Sequence, residues 1–208
     1  MDGRLLGTAT AFGLAASTGL NTTLPLLIVA LLARSGKLEL VAPYNALEHT
    51  TTIACLAVLA VFEFVGDKVA VVDSVLHVIQ WPLAAAAGAI LFASQTSGIS
   101  WISPDLAIIV GLLTAGAVHG VRTAGRPAVT ALSSGMGNPV VSLAEDSASV
   151  GLTFLAVAAP LVGFFVTLLV AGVLGWLAIW VGRRSNRVLH FLRRCVGHAQ
   201  VKQPISER

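Results

Sequence analysis

The sequence predicts an all-α protein, a polytopic transmembrane helix bundle of five to six segments, some of them broken. Three observations carry that expectation. Of 208 residues, 56% are hydrophobic and only 11% are charged, against about 25% charged in an average soluble domain. The apolar residues lie in long continuous runs rather than in the alternation of a membrane β-barrel. The chain carries 20 glycines, and small residues are what let membrane helices approach closely.

The runs follow in order. Residues 5–33 contain no Asp, Glu, Lys or Arg, enough for one crossing with surplus. Within them, "STGLNTTLP" at 17–25 places two threonines between Asn21 and Pro25, and predicts a break in the helix. The opening residues could pass for a signal peptide, but the apolar stretch continues well past Gly19, so it reads as a mature membrane segment. The loop "RSGKLELVAPYNALEH" at 34–49 is the one sizeable hydrophilic connection before the tail. The second run, 49–62, is 14 residues long, short for a crossing unless Glu63 and Asp67 also enter the membrane. A third run, 74–104, is expected to break at "QWP", residues 80–82. A fourth spans 106–121, followed by the weakly hydrophobic "RTAGRPAVTALSSGMGNPVVSLAED". The last charge-free run, 147–182, would make a straight helix of roughly 54 Å against a bilayer core of about 30 Å. It must break, and Pro160 is the expected place.

From Arg183 the chain turns basic, with Arg183, Arg184, Arg187, Arg193 and Arg194 within twelve residues. By the positive-inside rule this end is cytoplasmic, a stop-transfer cluster or a short amphipathic helix on anionic lipid. The division is a single transmembrane domain over 1–182 and a basic tail over 183–208, in a membrane expected to be the bacterial inner membrane. Cys55 and Cys195 lie far apart in character and predict no disulfide.

A weak internal echo relates "FGLAASTGLNTTLP" at 12–25 to "HGVRTAGRPAVTALSSG" at 119–135. Each is followed by an acidic cluster in an apolar setting, Glu63 with Asp67 and Glu145 with Asp146. Each cluster leads into an apolar segment containing a proline, Pro82 or Pro160. The identities are few, and low-complexity membrane sequence produces chance matches. If the echo is a repeat, the halves are 1–103 and 104–182. An odd number of crossings in each would then make them inverted, with a transport site where the broken helices meet.

The stretches "STGLNTTLPLL", "EFVGDKVAVVDSVLHVIQWP" and "VSLAEDSASVG" together resemble the small bacterial integral membrane proteins of the domain-of-unknown-function family numbered 4126, over roughly residues 5–175. The resemblance supplies a grouping and implies no activity.

The chemistry rests on the intramembrane charges. A charge at mid-bilayer costs roughly 2.5–3.5 kcal/mol on insertion scales, so carboxylates there need partners, protons or a cavity. On a helix, Glu63 and Asp67 share a face, with Lys68 one step on and Asp73 as a helix cap before "VLHVIQ". The bland alternatives are that Asp67 and Lys68 form an ordinary loop, and that Glu145 and Asp146 begin a helix at the membrane surface. His77 and His119 read first as packing residues. No Cys-x-x-Cys, His-Glu-x-x-His, P-loop or nucleophile elbow appears, so catalysis is not expected and no cofactor is implied.

The candidate site comprises Glu63, Asp67, Glu145 and Asp146 for a cation or proton, with the amides of Asn21 and Asn138 beside the breaks. Lys68, Arg122 and Arg126 are either partners of those carboxylates or holders of an anionic lipid headgroup. Oxygen donors suit a hard cation, and the identity of any metal is open. The functional expectation is a small transporter or channel for an ion or lipid substrate. The alternative is a non-catalytic subunit of a larger membrane complex. The expected partners are the lipid bilayer and either further copies of the chain or other membrane proteins; nucleic acid is not among them.

Overall fold

The computed structural model describes residues 3–66, 70–96, 101–133, 136–173, 175–176 and 179–180, the side chains of 70–78 and 127–132 excepted. Among the described residues every regular element is helical. The order is α1 (Gly3–Leu20), α2 (Thr23–Arg34), a short 3-10 helix (Tyr44–Glu48), α3 (Thr50–Gly66), α4 (Ala70–Thr96), α5 (Pro104–Ser133), α6 (Asn138–Ala158) and α7 (Pro160–Val173). By length and composition, Pro104–Arg126 of α5 and the whole of α6 could each cross a membrane.

Helix α1 is the centre. It packs on α4, α5 and α6, and α4 packs most extensively on α5. From Ala9 to Leu20 only Phe12 is not fully buried, as expected of a helix apolar or small on all sides. Its hydroxyls do not disturb this packing, because they return to their own helix. Thr10 Oγ1 donates to the Leu6 carbonyl at 3.0 Å, and Thr18 Oγ1 to the Ala15 carbonyl at 2.7 Å. Glycine sets the spacing of α4 and α5: a Cβ on Gly111 would lie 2.5 Å from the Gly88 carbonyl oxygen.

The expected break at Asn21 is present. Helix α1 ends at Leu20 and α2 begins at Thr23. Leu14 of α1 and Val29 of α2 then join one apolar cluster with Leu91 and Ala156. On an uninterrupted helix those two residues would stand roughly 22 Å apart, so the chain turns at Asn21–Thr22. The expected break before Pro160 is also present: Ala159 leaves the helical region at φ −141°, ψ 73°. A residue preceding proline is disfavoured in the α conformation.

Three expectations need correction. Helix α4 runs from Ala70 to Thr96 with Pro82 inside it. Proline removes one donor, and α4, held between α1 and α5 and followed by the run Ala84–Ala87, absorbs that loss without ending. Helix α5 continues past Val121 to Ser133, so the segment echoing the α1–α2 break is helical as far as Ser133. Asp73 falls within the first turn of α4 rather than capping it. The whole tail from 181 onward, with its five arginines and Cys195, lies outside the described residues.

On α3 and α7 and around the α1–α2 break, the distribution of polarity is inverted. Val58, Leu59, Val61, Phe62, Phe64 and Val65 of α3 are all exposed, as are Phe165, Leu168 and Leu169 of α7. Glu63, Asp146, Arg122 and Arg126 are each at most 5% exposed, and His119 is wholly buried.

Candidate functional site

The polar interior centres on the α1–α2 break. A helix start leaves backbone N–H groups without intrahelical partners, and here side chains take them up. Thr22 N–H donates to Glu63 Oε1 at 3.2 Å and Thr23 N–H to Glu63 Oε2 at 3.3 Å. Thr23 Oγ1 donates to the same Oε2 at 2.5 Å. Asn21 Oδ1 accepts from Thr23 N–H at 3.0 Å and Leu24 N–H at 2.8 Å. Glu63 is thus a carboxylate at a helix N-terminus, where the helix dipole also favours negative charge.

The sequence of α3 explains why Glu63 points inward. Its buried positions are Leu56, Ala60, Glu63 and Gly66, spaced four, three and three residues apart along one face. Among the other positions, Val58, Leu59, Val61, Phe62, Phe64 and Val65 are exposed. From α4, Gln80 Nε2 donates to Glu63 Oε1 at 3.2 Å. Sequence reasoning does not single out Gln80 as a site residue; an amide between Ile79 and Trp81 in the apolar run of 74–104 is the signal that points to it.

Asp146 of α6 meets the break through Asn21. Asn21 Nδ2 donates to Asp146 Oδ1 at 2.9 Å, and the network fixes the amide orientation, oxygen toward two N–H groups and nitrogen toward the carboxylate. One turn further along α6, Ser149 Oγ donates to the Ser17 carbonyl at 2.9 Å. With Ser142 and Thr153, also fully buried, these residues form a polar stripe on α6 at positions 142, 146, 149 and 153.

Glu145 takes a different direction from its neighbour. Successive residues on a helix diverge by about 100°, and Glu145 meets α5. Its Oε2 accepts from Arg122 Nε at 2.8 Å and also from Arg126 Nη2. Arg122 and Arg126 are one helical turn apart, so both guanidiniums reach one carboxylate. They are therefore partners of the acidic cluster. Glu145 and Asp146 stand seven and eight residues into α6, which removes the reading of either as a helix-start residue.

The structure accordingly brings Glu63, Asn21 and Asp146 together at the break and holds Arg122, Arg126 and Glu145 in an adjoining ion cluster. Glu63 is linked to Asp146 through the Asn21–Thr23 turn, while Glu145 lies against Arg122 and Arg126. Asn138 is buried at the first turn of α6. Asp67 and Lys68 lie outside the described residues, as does the side chain of His77. Among the described residues no three His, Cys, Asp or Glu side chains come together as a metal-binding group.

Comparisons with curated proteins and with solved structures return no match. A family model described as "Domain of unknown function (DUF4126)" matches residues 8–184, a span that includes every residue of the break and of the ion cluster. The chain belongs to the DUF4126 family.

Proposed function

We propose that this protein is a small polytopic membrane transporter or channel that moves a proton or small cation through a site flanked by Glu63 and Asp146. The observation that carries the reading is the meeting of two buried carboxylates, from α3 and α6, at one helix break. Broken helices with ionisable groups at their ends are how membrane transporters build ion sites. The apolar exterior of α3, α5 and α7 supports a bundle that faces lipid, and the polar stripe on α6 supports a path along α1. A lipid headgroup is less well supported as substrate, because the guanidiniums of Arg122 and Arg126 both engage Glu145. The inverted-repeat organisation belongs to this reading as well. Its support is the recurrence of a helix start carrying Asn and Pro, Asn21 with Pro25 and Asn138 with Pro139.

The test is flux in proteoliposomes loaded with proton- and alkali-sensitive dyes. Flux above protein-free vesicles is expected, falling at least about tenfold in Glu63→Gln and Asp146→Asn. A monodisperse, correctly folded preparation that conducts neither protons nor cations would sink the reading. The accessory-subunit alternative would then be pursued through co-purification of a heterologous membrane protein at fixed stoichiometry.

A further inference from the structure

A continuous helix through residues 18–24 would place the N–H groups of Thr22, Thr23 and Leu24 on the carbonyls of Thr18, Gly19 and Leu20. Instead those N–H groups go to Glu63 and Asn21. The last bond of α1 runs from Asn21 N–H to the Ser17 carbonyl at 3.1 Å. Three carbonyls at the end of α1 therefore lose their helical partners in a fully buried segment. Buried backbone oxygens are ordinarily paired. Beside them the Thr22 hydroxyl, on a residue only 7% exposed, has no hydrogen-bond partner among the described residues. Asp146 adds a carboxylate to the same turn through Asn21.

These groups are hard oxygen donors at the negative end of the α1 dipole, which favours a cation. The positive end of α2, which would repel one, is already neutralised by Glu63. A single carboxylate and neutral oxygens match one positive charge, and no cluster of three acidic, His or Cys side chains exists among the described residues for a more demanding ion.

We propose that the α1–α2 break is a binding site for one alkali-metal cation, held by the carbonyls of Thr18, Gly19 and Leu20, the Thr22 hydroxyl and the Asp146 carboxylate. The proposal rests on the cation-transport reading and divides its two carboxylates. Asp146 meets the ion, while Glu63 is a positioning residue that caps α2 and keeps the break open.

The experiment measures cation binding apart from flux. Purified full-length protein in detergent is melted in sodium, potassium, lithium or choline chloride at constant ionic strength. At least one alkali chloride should raise Tm over choline by about 3 °C or more, saturating with concentration. Thr22→Val, nearly isosteric, should weaken the apparent affinity at least about tenfold while keeping the choline Tm. Asp146→Asn should abolish the shift. Equal Tm values in every alkali salt and choline, an undiminished shift in Thr22→Val, or a larger shift with calcium chloride than with any alkali salt would each overturn the proposal. Alkali binding without flux in proteoliposomes would uphold this site and remove the transport reading. Proton flux without alkali binding would do the reverse.

Discussion

At the scale of single residues, Asn21 is the hinge of the polar interior. Its carbonyl oxygen serves two N–H groups of α2 and its amide nitrogen serves Asp146 of α6, so one side chain ties the break to a distant helix. Asn21→Ala removes all three bonds. The expected loss is about 1–2 kcal/mol, the range for helix-capping side chains, read from thermal or denaturant unfolding in detergent. An unchanged stability would mean that the cap contributes little. Glu145 gives a second test. Glu145→Gln leaves Arg122 and Arg126 buried against a neutral amide, and breaking a buried ion pair from one side costs about 3–5 kcal/mol. The variant should therefore be more damaging than Asn21→Ala in the same assay, although Asn21 is the more deeply buried of the two.

At the scale of elements, the close approach of α4 and α5 depends on Gly88 and Gly111. A Cβ on Gly111 would meet the backbone of α4, 2.5 Å from the Gly88 oxygen and 2.8 Å from Ala89 Cα. Backbone cannot swing aside as a flexible side chain can, so Gly111→Ala should cost about 1–3 kcal/mol as an overpacked core. Gly151, exposed on α6 with nothing within 4 Å of an added Cβ, is the control. Gly151→Ala should stabilise by up to about 1 kcal/mol through helix propensity. Thermal melts of the two variants, compared side by side, check both signs. The same glycines are visible in the sequence, but which glycine is a contact and which is idle depends on the partner helix.

At the scale of the whole molecule, among the described residues large apolar side chains of α3 and α7 face outward while Glu63, Asp146, Arg122 and Arg126 are buried. That inversion predicts that the chain stays in the membrane pellet through alkaline carbonate extraction. Release into the supernatant would mean that other protein, and not lipid, covers α3 and α7. The five arginines from Arg183 to Arg194 predict a cytoplasmic C-terminus. A reporter active only outside the cytoplasm, fused after Arg208, should stay silent.

The sequence by itself determined the helical class, because long charge-free runs leave few other ways to satisfy backbone groups. It also determined the break at Asn21, where Asn, two threonines and a proline compete locally with the helix, and it drew attention to Glu63, a carboxylate set between phenylalanines. Tertiary structure alone decided which charges meet. Glu145 and Asp146 are adjacent in the chain, yet their divergence around α6 sends one to Arg122 and Arg126 and the other to Asn21. No spacing rule selects that outcome until the rotation of α6 against α1 and α5 is known. Prolines make the same point. Pro82 and Pro160 each remove one N–H, but the first lies in a helix clamped between two neighbours and is carried through, whereas at the second Ala159 leaves the helical conformation. A local propensity of a few kcal/mol is settled by the packing on either side of it, and packing joins residues that the chain keeps far apart.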